Sequence, residues 1–110
     1  MVRAQMVDTK NDSHVAIIED DPDISALLQT SLQQDGFRTS SFGNGASFLR
    51  VLDKIKPDVC LVDLGLPDQD GMKLMDTIIS STQAATIIIS GRSDADEKIT
   101  ALKLGADDYV

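Results

Sequence analysis

Four carboxylates crowd into five residues, Glu19-Asp20-Asp21-Pro22-Asp23, directly after the apolar run VAII at 15–18. A further carboxylate, Asp63, follows a second apolar run, VCLV at 59–62, and a hydroxyl, Ser90, follows a third, TIII at 86–89. Like charges held at a strand end repel one another and need a cation or shared protons to offset the repulsion. Oxygen donors without His or Cys suit a hard divalent ion such as magnesium, which keeps part of its water and commonly bridges to a phosphate. A lone carboxylate opposite such a pair can act as a nucleophile of the aspartyl-phosphate kind, with the metal neutralising the charge its attack meets.

This chemistry requires the three runs to end at one place. They are rich in β-branched residues and do not alternate with polar ones, which is how strands covered on both faces read. Helical spacing lies between them. Ile24, Leu27, Leu28 and Leu32 form one stripe, opened by Pro22 and stopped at Asp35-Gly36. Phe48, Leu49, Leu52 and Ile55 form a second, closed by Pro57; Met72, Met75, Ile78 and Ile79 a third; Ile99 and Leu102 a shorter fourth, ending at Gly105. Each stripe is expected to face the core. FRTSSF at 37–42 reads as a weaker strand, and ADDYV at 106–110 begins a fifth. The order βαβαβαβαβ implies an α/β fold, a doubly wound five-stranded parallel sheet with right-handed crossovers and helices on both faces. Sites in such sheets lie beyond the carboxyl ends of the strands.

Length and composition narrow the function. A chain of 110 residues, 42% hydrophobic and 25% charged, is one globular domain. A formal net charge of −8 argues against a nucleic-acid surface on this segment. The single Cys60 lies in an apolar run and reads as core, in keeping with a reducing, cytoplasmic setting. No apolar run approaches the roughly 20 residues that span a bilayer. Residues 1–13 read as a flexible leader and 14–110 as the domain.

The blocks IIEDDPDI, LVDLGLPDQDG, IIISG and LGADDYV, in this order and spacing, resemble the receiver domain of bacterial two-component response regulators. The likeness implies the flavodoxin-like (βα)5 fold and a switch that accepts a phosphoryl group from a sensor histidine kinase in a magnesium-dependent reaction. It implies that Asp63 is the phosphoacceptor. Asp20 would be a direct metal ligand, Glu19 a ligand acting through metal-bound water, and Gly65 the donor of a backbone carbonyl to the metal. Ser90 would be the hydroxyl that swings toward the phosphoryl group, and Tyr109 the aromatic that changes rotamer with it. Leu66-Pro67 and Gly71 would shape the loop after Asp63, with a helix cap near Asp70.

The family pattern continues beyond the fifth strand to a lysine, a proline and a fifth helix, whereas this sequence stops at Val110. The expectation is a receiver lacking its final helix, with Ile99, Leu102 and Tyr109 left without cover. GADDYV and the Lys98-containing fourth helix resemble the subfamily joined to a winged-helix DNA-binding domain. That likeness implies a homodimer through the fourth-helix and fifth-strand face, DNA contact only through an output domain, and control of transcription. A phosphotransferase or phosphohydrolase with an aspartyl-phosphate intermediate is the alternative, though it would want an aspartate where Gly65 stands. A receiver-like interaction module without phosphorylation is a third. Asp107-Asp108 read as pairing or capping residues, and Asp94, Asp96 and Glu97 as a first helical turn. His14 reads as a lone residue with no ligand role.

Overall fold

The computed structural model describes residues 13–68, 70–89 and 105–109. The elements are β1 (His14–Ile18), α1 (Pro22–Gln34), β2 (Arg38–Phe42), α2 (Gly45–Ile55), β3 (Val59–Asp63), α3 (Gly71–Ser81), β4 (Ala85–Ile89) and β5 (Asp108–Tyr109). The strands form one parallel sheet in the order β2-β1-β3-β4-β5. Residues 1–12, Ser90 and the expected fourth helix with Ile99 and Leu102 lie outside the described residues, as does the Tyr109 side chain.

Each helix starts where a side chain can satisfy the unpaired amides of its first turn. Asp21 caps α1, accepting from the Asp23 and Ile24 amides, with Pro22 at the first helical position. Asn44 caps α2 through the Ser47 amide, and Asp70 caps α3 through the Met72 amide. α1 is followed by the cap Asp35 and then Gly36, whose φ of 94° suits glycine, and α2 is capped by Lys56 in the left-handed region, one residue before Pro57.

The chain leaves β1 for β2 on one side and returns to β3 on the other, so right-handed crossovers put α1 on one face and α2 and α3 on the other. The second face is closed. Ala16, Ile18, Cys60, Val62 and Ile88 are fully buried there against Phe48, Leu52, Leu74, Met75 and Ile78. Phe48 also meets Phe42 edge to face, with ring centroids 5.4 Å apart. Burying each of the Val, Leu, Ile, Met and Phe side chains contributes roughly 1.5–3 kcal/mol. Burial pushes the Cys60 thiol up to about 12, so it behaves as an inert apolar group.

The α1 face corrects one expectation. Val15 and Ile17 are buried there, but α1 buries Ser25, while Ile24 and Leu27 are 42% and 68% exposed. Leu28 and Leu32 are only half-buried, and so are Val59, Leu61, Ile87 and Ile89 on the same side of β3 and β4. The stripe shares one helical face, but among the described residues α1 packs mainly on β1 and β2, which leaves part of that face uncovered.

Candidate functional site

β1 is the point where the strand order reverses, so a crevice opens between the carboxyl ends of β1 and β3. Register fills it: Ile18 pairs with Val62, and the next residues, Glu19 and Asp63, therefore emerge side by side. Glu19, Asp20 and Asp63 each offer a carboxylate oxygen within 4.8 Å of the others. Glu19 is buried, Asp63 half-buried and Asp20 exposed.

The charge is poorly satisfied within the protein. Desolvation by burial is the largest influence on Glu19 and raises its pKa to about 7; the facing Asp63 and Asp20 push the same way, against one hydrogen bond of 3.0 Å from the Asp21 amide. A group that would rather hold a proton than face two carboxylates is one a cation would relieve. The donors are all oxygens, with no His or Cys among them, and fit a hard divalent ion.

Of the four carboxylates after β1, only Glu19 and Asp20 join Asp63. Asp21 is engaged in capping α1, and Asp23 is exposed in that helix's first turn. The other sequence-derived residues are placed as follows. The Gly65 amide donates to Asp63 Oδ1 at 2.9 Å, which curls the loop after β3 back on the carboxylate. Leu66 is buried, and Gly71 is required by a close approach: a Cβ there would lie 2.6 Å from Leu64 Cα and 2.8 Å from the Asp63 carbonyl oxygen. Asp107 pairs with β4, its carboxylate accepting from the Thr86 amide at 2.7 Å. His14 is buried, with Nε2 2.6 Å from Ser40 Oγ, and joins no metal-ligating group among the described residues.

Asp68 escaped the sequence reading. Its two carboxylate oxygens accept from the Gly45 and Ala46 amides, each at 2.9 Å, and these bonds, Gly45's foremost, hold its carboxyl below the usual range. One signal was available: α2 opens with no acidic residue of its own in its first turn.

A groove of about 260 Å³ opens beside Glu19 and Asp20, between Ser25 and Gln29 of α1 and Ser41 of β2. A larger cleft of about 480 Å³ lies at the opposite edge of the sheet, between Lys56-Pro57-Asp58 and Thr82-Gln83, away from the carboxylates. The switch-point crevice, and not the larger cleft, holds the convergent chemistry.

Comparison with known proteins agrees with this geometry. The TorCAD operon transcriptional regulatory protein TorR of Escherichia coli K12 is 35% identical over 97 residues, covering 88% of this chain and 42% of that protein. The transcriptional regulatory protein KdpE of Mycobacterium tuberculosis H37Rv is 38% identical over 96 residues, 87% of this chain and 42% of its own length. The chain thus spans about two-fifths of these curated relatives. Among solved structures, the receiver domain of the TMAO respiratory system response regulator TorR superposes with a TM-score of 0.82 at 35% identity, covering 89% of this chain and 82% of that one. The BeF3-activated N-terminal receiver domain of Klebsiella pneumoniae RstA does so at 0.84 and 26% identity, covering 89% and 84%. Residues 15–110 match the model of the response regulator receiver domain, and the chain belongs to that family.

Proposed function

We propose that this chain is a magnesium-dependent phosphoacceptor in which Asp63 takes a phosphoryl group from a phosphohistidine of a sensor kinase. The observation that carries the reading is the meeting of Glu19, Asp20 and Asp63 within 4.8 Å at the switch point, with Glu19 held toward its protonated form. Asp63 lies at the end of a central strand, half-buried, with one oxygen fixed by the Gly65 amide. In transfer, a carboxylate oxygen of Asp63 bonds to phosphorus as the P–N bond to the donor imidazole breaks, and the departing ring takes up a proton.

Magnesium would neutralise charge on the phosphoryl oxygens during this step. Asp20, Asp63 and the Gly65 carbonyl would hold it directly, and Glu19 through water. Ser90 and Tyr109 would report the new charge to the fourth-helix and fifth-strand face, which would pair two copies. The relatives named above are transcriptional regulators, so the output is taken to be transcription, through a DNA-binding segment beyond residues 14–110 and in the cytoplasm. Among the described residues, no helix is long and apolar enough to cross a membrane.

The test is incubation with magnesium and acetyl phosphate, read by intact mass. One acid-labile phosphoryl adduct is expected, absent without magnesium and absent in Asp63→Asn. An undiminished adduct in that variant overturns the assignment.

A further inference from the structure

We propose that Asp68 is a positioning residue for the site, a role that rests on the phosphoacceptor reading: its carboxylate, docked on the first two amides of α2, fixes the loop that carries Asp63 and Gly65. The geometry makes a closed circuit around the crevice. On one side the Glu19 amide donates to the Phe42 carbonyl oxygen at 3.0 Å, which ties the acidic pair to the end of β2. Three residues later α2 begins, and its Gly45 and Ala46 amides each donate to Asp68 at 2.9 Å. Five residues before Asp68 is Asp63, and between them the Gly65 amide returns to Asp63 Oδ1. The Asp68 carboxylate therefore joins the two loops that flank the acidic pocket, across 22 residues of sequence.

The other anchors of this loop do not do the same work. Buried Leu66 holds its middle to the core, while Asp70 and the tight seat of Gly71 hold its far end to α3. The Asp68 carboxylate instead bonds the start of α2, three residues after the Phe42 carbonyl that receives the Glu19 amide. Asp68 is exposed and its carboxylate bonds the Gly45 and Ala46 amides, so its influence on Asp63 passes through the loop. A bidentate carboxylate on a helix N-terminus is also well suited to hold position, because two bonds fix orientation as well as distance and the helix dipole favours the charge. Losing it frees the loop to swing about Leu66, and the Gly65 carbonyl and Asp63 lose their fixed relation to Glu19 and Asp20.

The test compares Asp68→Ala with Asn44→Ala in the full chain. Both remove a cap from α2, but the Asn44 side chain bonds Ser47 in its own helix turn, whereas Asp68 bonds across from another loop. Magnesium affinity by calorimetry and the rate of adduct formation from acetyl phosphate at saturating magnesium are the readouts, with melting as the control for stability. Asp68→Ala is expected to weaken magnesium binding roughly 10-fold, the low end of what residues that orient metal ligands cost, and to slow adduct formation at saturating metal. Asn44→Ala is expected to lower the melting temperature comparably while leaving magnesium affinity within about twofold. Asp68→Asn, which keeps one acceptor oxygen, is expected to fall between and serves in place of Asp68→Ala if that variant does not fold. Magnesium affinity and rate unchanged in the Asp68 variants, or equally reduced in Asn44→Ala, overturn the positioning role alone. A parent chain that neither binds magnesium nor gains an adduct overturns the phosphoacceptor reading and the positioning role together.

Discussion

Two sets of carboxylates on this molecule share a residue type and differ in what they face. Asp21, Asp68 and Asp70 each face backbone amides at the start of a helix, and Asp68 is held in its charged form by those bonds. Glu19, Asp20 and Asp63 face one another, and Glu19 is driven toward its neutral form. The first set has its charge satisfied inside the fold; the second is stable as three charges only with something positive between them. Carboxylates left facing each other at a strand end are therefore the mark of the site, and acidity alone is not, since the two sets interleave within Glu19–Asp23 and Asp63–Asp70.

The largest test of this contrast is metal linkage. A ligand that binds only the folded chain stabilises it by about 2.7 kcal/mol at one hundred times its dissociation constant and about 4.1 at one thousand. Melting is expected to rise accordingly with magnesium, and the rise to vanish in Asp20→Ala. That variant is expected to melt above the parent without metal, because one of three repelling charges is gone. A magnesium response of unchanged size in Asp20→Ala would remove this aspartate from the site.

Proton linkage comes next. The pKa of Glu19 is about 7 in the folded chain against 4.5 for the ordinary group, so the folded state holds this proton more tightly. The resulting stability is fully present below about 4.5 and is lost as pH rises through 7. The full shift corresponds to roughly 3 kcal/mol, and screening by water at the open side of the site trims it to about 2. Metal-free chain is thus expected to lose stability between pH 5 and 8, while the increment from magnesium grows over the same range because metal displaces the proton. Asp68 has the opposite sign: its pKa is lowered, so its contribution fades only as pH falls through the acidic range. Urea melts at four pH values, with EDTA or magnesium, would check this, and a flat metal-free profile would contradict the burial of Glu19's charge.

Much of this contrast was legible in the sequence, for a definite reason. VAII, VCLV and TIII are contiguous, β-branched and short, so their strand character and parallel pairing followed, and in a parallel sheet the residues after each strand must meet at one edge. That argument brought Glu19, Asp20, Asp21 and Asp63 to one edge, and the family resemblance singled out Glu19 and Asp20 from Asp21. Asp68 was hidden because its partners lie 22 and 23 residues upstream, and periodicity carries no signal for a loop that docks on a distant helix end. The outward face of α1 was hidden for another reason. Spacing shows that Ile24, Leu27, Leu28 and Leu32 share a side but not how wide a surface they meet, and so Ser25 is buried where Leu27 is not.

Capping carboxylates give a smaller and different response. Asp70→Ala removes the acceptor of the Met72 amide, a loss of about 1 kcal/mol for a helix N-cap. It is expected to lower melting with the magnesium increment retained, whereas Asp20→Ala does the reverse. Loss of both in Asp70→Ala would mean that the cap and the site are not separable.

The smallest effect belongs to Asp23, which sharpens the contrast because it lies three residues from Asp20 and in neither set. Its side chain is exposed in the first turn of α1, where it meets the positive end of the helix dipole at a distance of bulk water and makes neither the cap nor a site contact. Such a charge contributes about 0.3–1 kcal/mol at low ionic strength and is screened by salt. Asp23→Ala is therefore expected to lower stability by a few tenths of a kcal/mol in dilute buffer, to match the parent in 0.5 M sodium chloride, and to keep the whole magnesium increment. A loss that persists in high salt would place Asp23 among the capping groups, and a weakened magnesium response would bring it into the site; either result would move the boundary between the two sets.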